Sequence, residues 1–297
     1  MTAAAFTTRF APSPTGYLHK GHAFSALTAF KAARAEGGRF ILRIEDIDAT
    51  RVRPEYDAAL LEDLAWLGLG WEEPVRRQSQ HLADYQAALD RLREAGLAYR
   101  CFRTRKEVLD EIARAPHGPG EGPEHQVFRG APLPAGEEAR RLQAGEPFAW
   151  RLSLDAARAA LGEDAWTALS FTEQGEGPHS AGLLGERGRL AARPEIAGDV
   201  VLARKDLGVA YHLAVVIDDA LQGISHVIRG QDLLEACHIQ RLLQALLGLP
   251  EPVYRHHPLL LAPTGRRLAK RDRAESLREM RARGVTAAGL RAELGFG

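Results

Sequence analysis

Two histidines three residues apart, His19 and His22, follow the loop Pro12-Ser13-Pro14-Thr15-Gly16 and open an Ala/Leu/Phe-rich stretch that runs to Gly37-Gly38. Residues at that spacing lie one above the other on a helix face. Imidazoles at a helix N-terminus can donate to a phosphate, and the helix dipole favours the same anion. The α-phosphate of a nucleotide needs such donors while it passes through its highly charged transition state. Gly21 removes a side chain where a flat ring could approach the backbone. Standing alone, such a pair is more often two surface histidines; the preceding loop and the flanking strands favour the phosphate. A second candidate is the loop TGRRLAKRDR, Thr264 to Arg273. From Arg266 to Arg283 the cations are Arg266, Arg267, Lys270, Arg271, Arg273, Arg278, Arg281 and Arg283, against the anions Asp272, Glu275 and Glu279. A basic loop can close over a triphosphate and stabilise departing pyrophosphate, although most charge runs are solvated faces. A third is RIED, residues 43–46, at the end of a predicted strand, where Glu45 could hold an amino group. Asp46 and Asp48 could equally cap the next turn, and Asp218 and Asp219 carry the same ambiguity.

These residues need a scaffold, and the hydrophobic pattern supplies one. Residues 6 to about 100 alternate: strand 7–11, helix 20–35, strand 40–46, a helical pattern over 52–69 with Pro54 at its start, another over 84–99, then a short strand into Cys101. Such alternation predicts an α/β fold, a parallel sheet with helices on both faces. In that fold the strand-to-helix turn holding Pro12 to His22 is where nucleotides bind. Residues 114–195 differ: Gly/Pro-dense stretches enclose a strand-like FAWRLSL and a helix-like LDAARAALGEDAWTAL, which reads as an inserted, loop-rich subdomain. Alternation resumes at Asp199 with strand-like DVVLAR, VAYHLAVVIDDA and ISHVIRG, an amphipathic helix LLEACHIQRLLQALLG, a strand HHPLLLA and two short terminal helices near 273–282 and 286–294. Tyr211 and Arg229 fall in these strand-like segments.

Composition narrows the class. The 297 residues carry 39 basic and 39 acidic side chains, so nothing draws nucleic acid globally and any RNA contact must be a local patch. Cys101 and Cys237 form no disulfide framework and point to a reducing compartment. No apolar run approaches the ~18 residues of a membrane span, and the first residues show no signal peptide. The expected location is the cytoplasm.

RFAPSPTGYLHKGH, RIEDID with Arg51, YHLAVVIDD, IRGQDLL and the late RLAKR occur in this order and at these separations. Together they resemble the glutamyl members of the class I aminoacyl-tRNA synthetases, over roughly residues 7–105 and 197–275. His19-Lys20-Gly21-His22 stands where that class has its HIGH signature, and Arg267-Leu268-Ala269-Lys270-Arg271 where it has KMSKS. The resemblance implies a Rossmann-like catalytic domain from 1–105 and 197–262, an inserted subdomain at 106–196, and a KMSKS-like loop with a short helical C-terminus at 263–297. Full-length members continue into a long anticodon-binding region, whereas 26 residues follow Arg271 here. The chain thus resembles the shortened branch, the glutamyl-queuosine tRNA(Asp) synthetases, without an anticodon-binding domain. Val215, where full-length members usually have Asn, fits that branch.

That resemblance implies activation of L-glutamate with ATP, aided by magnesium, and transfer of glutamate to queuosine in the anticodon of tRNA(Asp), by a monomer. The alternatives are a truncated enzyme charging tRNA 3′ ends and a non-catalytic RNA-binding paralogue. Glutamate would lie against Arg9, Phe10, Ala11, Pro12 and Ser13. Glu45 would take its amino group, Tyr211 would bond nearby, and Arg9 and Arg229 suit its two carboxylates. His19, Gly21, His22 and Lys270 would flank ATP, with His19, His22 and Lys270 catalytic. The sequence departs from the branch in two places. Many members hold zinc with Cys-x-Cys and a later Tyr and Cys; here Cys101 matches, but Arg103 stands at the second cysteine and Phe128 near the tyrosine. His117 or His125 would complete a poor ligand set, so the expectation is no zinc and a buried Cys101. In the basic loop, Ala269 replaces the usual serine while Arg267 keeps the charge.

Overall fold

In the computed structural model, which describes residues 5–104, 106–109, 127–175, 187–204, 208–260 and 275–297, the first strand β1 (Thr7–Phe10) is buried along its length. It pairs in parallel with β2 (Arg39–Ile44), and β2 with β3 (Glu72–Arg77). The crossovers are α1 (Lys20–Ala35) and α2 (Pro54–Trp66). α1 turns Ala23, Ala26, Leu27, Ala29, Ala32 and Ala33 inward, small side chains that let the helix lie close on the sheet. α3 (Leu82–Glu94) then leads into β4 (Ala98–Cys101).

The middle of the chain adds α4 (Ala135–Gln143), β5 (Ala149–Leu152), α5 (Leu154–Leu161), α6 (Glu163–Thr167), β6 (Ser170–Glu173), β7 (Gly188–Ala191), β8 (Val201–Arg204) and β9 (Gly208–Val209). After it come α7 (Tyr211–Leu221), β10 (His226–Gly230), α8 (Ala236–Leu247), β11 (Val253–His257), α9 (Leu277–Ala282) and α10 (Ala287–Glu293). β4, β5, β8 and β9 form a small antiparallel sheet. β10 and β11 run parallel, β11 pairs in parallel with β6, and β7 closes that edge antiparallel. Ser225 joins the two parallel sheets: its N–H donates to Thr7 O at 3.0 Å, and Thr7 N–H donates to its Oγ at 2.8 Å. β1 and β10 therefore lie side by side, starts together. The chain leaves β1 toward β2 and later returns to its other flank, so a crevice opens at the carboxyl ends of β1 and β10.

The α/β class holds. α4, β6 and β7 have no counterpart in the sequence reading, and three other elements differ from it. VAYHLAVVIDDA is no strand but mostly the helix α7, whose Leu213 to Asp219 are all buried. Its apolar run from Leu213 to Ile217 is short, and such a run cannot be told from a buried strand by periodicity. β11 ends at His257, so HHPLLLA supplies only the strand's last two residues; Pro258 has no N–H to continue a ladder. β3 escaped notice because Glu72-Glu73-Pro74 is exposed and carries no apolar alternation, as suits an edge strand.

Ion pairs buried under the sheet tie the elements together. Arg43 of β2 is fully buried and places Nη1 2.8 Å from Asp219 Oδ1 and Nε 3.7 Å from Asp218 Oδ2. Asp219 also receives Arg9 Nε at 3.0 Å. Asp218 receives Arg76 Nε at 2.7 Å, Gln78 Nε2 at 2.8 Å and the Tyr85 hydroxyl at 2.9 Å. Two adjacent carboxylates on α7 thus clamp β1, β2, β3 and α3. Burial raises the Asp219 carboxyl, but the charges of Arg9 and Arg43 outweigh it and hold it below the usual range. Removing one member leaves buried charge uncompensated. Arg43→Met is expected to lower the unfolding free energy by about 3–5 kcal/mol in urea titrations. A loss under about 1 kcal/mol, the scale of an exposed pair, would contradict this role.

Candidate active site

The carboxyl end of β1 runs straight into the loop Ala11-Pro12-Ser13, held against β2 by the Glu45 N–H donating to Pro12 O at 3.0 Å. A cavity of about 620 Å³ opens there. Arg9, Phe10, Ala11, Pro12 and Ser13 line it from β1 and its loop, His19, Gly21 and His22 from the start of α1. Glu45 follows β2, Tyr211 begins α7 and Arg229 is on β10, and all three reach the same cavity. Every predicted site residue except Lys270 thus faces one space; Lys270 lies outside the described residues. The ends of the stretch that holds it can be placed. Leu260 lines the cavity, and Ser276 bridges to His19 while Leu277 N–H donates to Leu18 O at 2.8 Å.

The two histidines cap their own helix. His19 is the N-cap: its Nδ1 accepts from Gly21 N–H at 3.1 Å, and His22 Nδ1 accepts from His19 N–H at 3.2 Å. This is a reciprocal capping box built from imidazoles. With both Nδ1 atoms accepting, each ring carries its proton on Nε2 and presents a donor there. The rings stand 3.9 Å apart, centre to centre. A Cβ on Gly21 would come within 2.9 Å of His19 Cε1, so the flat ring that uses the space is His19 itself.

The two arginines differ. Arg9 arrives already paired, its Nε 3.0 Å and Nη2 3.5 Å from the two oxygens of Asp219. Arg229, equally buried, meets only uncharged acceptors among the described residues. Its Nη2 donates to Leu233 O, Cys237 Sγ and Gln240 Oε1, each at 3.0 Å, its Nε to His256 Nε2 at 3.1 Å and its Nη1 to the Tyr211 hydroxyl at 3.3 Å. Burial pushes the Cys237 thiol up to about 11, against the pull of Arg229, so it stays a neutral thiol. Arg229 is therefore a cation poised for an incoming anion. Glu45 is the opposite pole. Burial raises its carboxyl above the usual range, and Arg43, 3.3 Å from Oε1, only partly counters this. A cation beside Glu45 would relieve that cost. One end of the cavity thus suits a zwitterion with a further carboxylate, the other end suits phosphates.

Sequence reasoning missed His257, Phe24, Leu259 and Leu260 on the cavity wall, and Asp219, Gln240 and His256 behind it. The paired histidines before Pro258 were a visible signal. Asp219 had been weighed only as a cap or ligand; it is the counter-ion of Arg9 and Arg43. Away from the cavity, Cys101 is buried with Tyr99, Val108 and Phe128. The guanidinium of Arg103 lies 5.6 Å and that of Arg151 4.4 Å from the centre of the Phe128 ring. His117 and His125 lie outside the described residues. No described helix is long and apolar enough to cross a membrane.

Comparison with known proteins agrees with this geometry. The family "tRNA synthetases class I (E and Q), catalytic domain" matches residues 5–291. A Glutamyl-Q tRNA(Asp) synthetase of Rhodobacter capsulatus is 47% identical over 97% of this chain and 99% of its own length. One from Nocardia farcinica is 44% identical over 93% of this chain and 79% of its own. Among solved structures, a glutamate tRNA ligase of Elizabethkingia meningosepticum in complex with its amino acid superposes with a TM-score of 0.67 at 29% identity, over 90% of this chain. The chain spans 52% of that ligase, about half its length.

The raised carboxyl of Glu45 predicts a pH dependence for any ammonium-bearing ligand that enters this cavity. An ammonium group would need Glu45 ionised, so affinity for such a ligand falls as pH drops through the raised pKa. Calorimetric titration with L-glutamate should show that acidic limb centred above pH 4.5. Glu45→Gln should lose the limb and about tenfold in affinity.

Proposed function

The chain belongs to the catalytic-domain family of the class I tRNA synthetases for glutamate and glutamine, and on that premise we propose that it activates L-glutamate with ATP and transfers it to queuosine in the anticodon of tRNA(Asp). The observation that carries the reading is its near end-to-end match, at 47% identity, to a protein named for that reaction. The site supports the same chemistry. Glutamate would lie with its amino group at Glu45 and a carboxylate at Arg229, beside Tyr211, against the loop from Arg9 to Ser13. Arg9, already bound to Asp219, would contribute charge more than a full bidentate grip.

The α-carboxylate of glutamate is ionised at neutral pH and needs no general base. It would attack the α-phosphorus of ATP, forming the acyl–phosphate bond as the bond to pyrophosphate breaks. His19 and His22 would donate from Nε2 to the phosphate oxygens at the N-terminus of α1, where the helix dipole adds to them. Lys270 would neutralise the departing pyrophosphate, since the loop that carries it leaves from Leu260 on the cavity wall and returns to Ser276 beside His19. Magnesium would enter bound to the nucleotide phosphates. A hydroxyl of the queuosine ring would then attack the acyl carbon, giving the ester and AMP. The protein is expected to work as a cytoplasmic monomer, without structural zinc.

Two measurements test this. Glutamate should drive exchange of pyrophosphate into ATP without tRNA, and Lys270→Ala should slow that exchange about 100-fold with the fold intact by circular dichroism. Unchanged exchange in that variant removes the loop from the mechanism. Glutamate should be transferred to tRNA(Asp) bearing queuosine and not to the same tRNA lacking it; equal labelling of both refutes the assignment of the acceptor.

A further inference from the structure

Behind Arg229 stands an arrangement that touches none of the reacting atoms. Arg229 Nε–H donates to His256 Nε2 at 3.1 Å, so that nitrogen carries a lone pair. The other ring nitrogen, Nδ1, is 2.6 Å from Glu173 Oε2 and must carry the proton. Glu173 Oε1 accepts the backbone N–H groups of His256 at 2.9 Å and Gly175 at 2.7 Å. Glu173 and His256 are 0% and 1% exposed. Among the described residues no cation touches Glu173 and no carboxylate touches Arg229. The face of Arg229 also lies over Tyr254, 5.4 Å from its centre, which fixes the plane of the guanidinium. The close approach needs Gly175, where a Cβ would fall 2.0 Å from His256 O.

A carboxylate placed directly on Arg229 would neutralise it and compete with a substrate anion, as Asp219 does at Arg9. An imidazole between the two charges orients the guanidinium and leaves its charge available. Burial raises the Glu173 carboxyl, yet its bonds from His256 and Gly175 outweigh that and keep it ionised. Burial holds His256 below its usual range, so it stays neutral and able to accept.

We propose that Glu173 and His256 are positioning residues that hold Arg229 as an oriented, uncancelled cation and so set the preference of the site for a carboxylate over an amide side chain, that is, for glutamate over glutamine. This rests on the reading of the cavity as a glutamate site.

Glu173→Gln tests it at nearly constant volume. The new amide would donate to Nδ1, shift the His256 proton to Nε2 and set that N–H against the N–H of Arg229. Pyrophosphate exchange should then show a glutamate KM raised about tenfold or more, an ATP KM and kcat within about twofold of the parent, and a glutamate-to-glutamine ratio of kcat/KM reduced about tenfold. Nitrogen-15 NMR should show the His256 proton moving from Nδ1 to Nε2. His256→Gln, which can accept from Arg229 while donating to Glu173, should retain more selectivity than His256→Leu. A folded Glu173→Gln protein whose selectivity stays within twofold overturns the inference, as does a fall in kcat with the glutamate KM unchanged. Parent enzyme that fails to exchange with glutamate overturns the reading of the site, and the inference with it.

Discussion

Everything in the catalytic half hangs on an arginine that has no access to water. Arg43 sits next to the last residue of β2 with Asp218 and Asp219 against its guanidinium, and those two carboxylates in turn hold Arg9 and Arg76. Buried ions repay their desolvation only when paired with good geometry. The network is therefore a constraint on register as much as a source of stability. A slip of β2 by one residue would turn Arg43 to the other face of the sheet and strand both aspartates. The same pairing decides how the cavity works. Because Asp219 occupies Arg9, Arg229 is left as the stronger anchor for an anion.

The two ends of the cavity are built by different means. At one end, the start of α1 satisfies its own first turn with imidazoles, which places each ring's proton on Nε2. At the other end stand two opposite charges: Glu45, raised by burial, and Arg229, met by a neutral imidazole. Preorganised poles of this kind act strongly on a zwitterion because the protein has already met the cost of orienting them.

Much of this was legible in the sequence, for physical reasons. Arg9 to His22 is one unbroken segment, so the strand, loop and helix start that build half the cavity are neighbours in the chain. Parallel α/β sheets alternate regularly, so the order of elements showed in the hydrophobic pattern. The misreadings follow from burial. The apolar run of α7 is short and buried, and such a run reads equally as a strand, so Tyr211 falls in a predicted strand although it begins a helix. β6 lies in a Gly/Pro-dense stretch, and Glu173 meets His256 across 83 positions, a pairing that no local pattern announces. Arg229 was visible as a cation; that no described carboxylate pairs with it was not, because a charge balance is a property of the packed interior.

The seam at Ser225 has a consequence for how the protein comes to exist. Thr7 meets Ser225 across 218 positions, and Arg9 meets Asp219 across 210. Contacts so distant in the chain carry a large loop-closure entropy and form late. β1 is made before β10, and that flank waits for the residues around Ser225. Until β10 arrives, that strand presents an open edge, the surface on which chains pair wrongly and aggregate. That seam borders the candidate cavity, so the cavity cannot be complete before residues as distant as Thr7 and Ser225 have met.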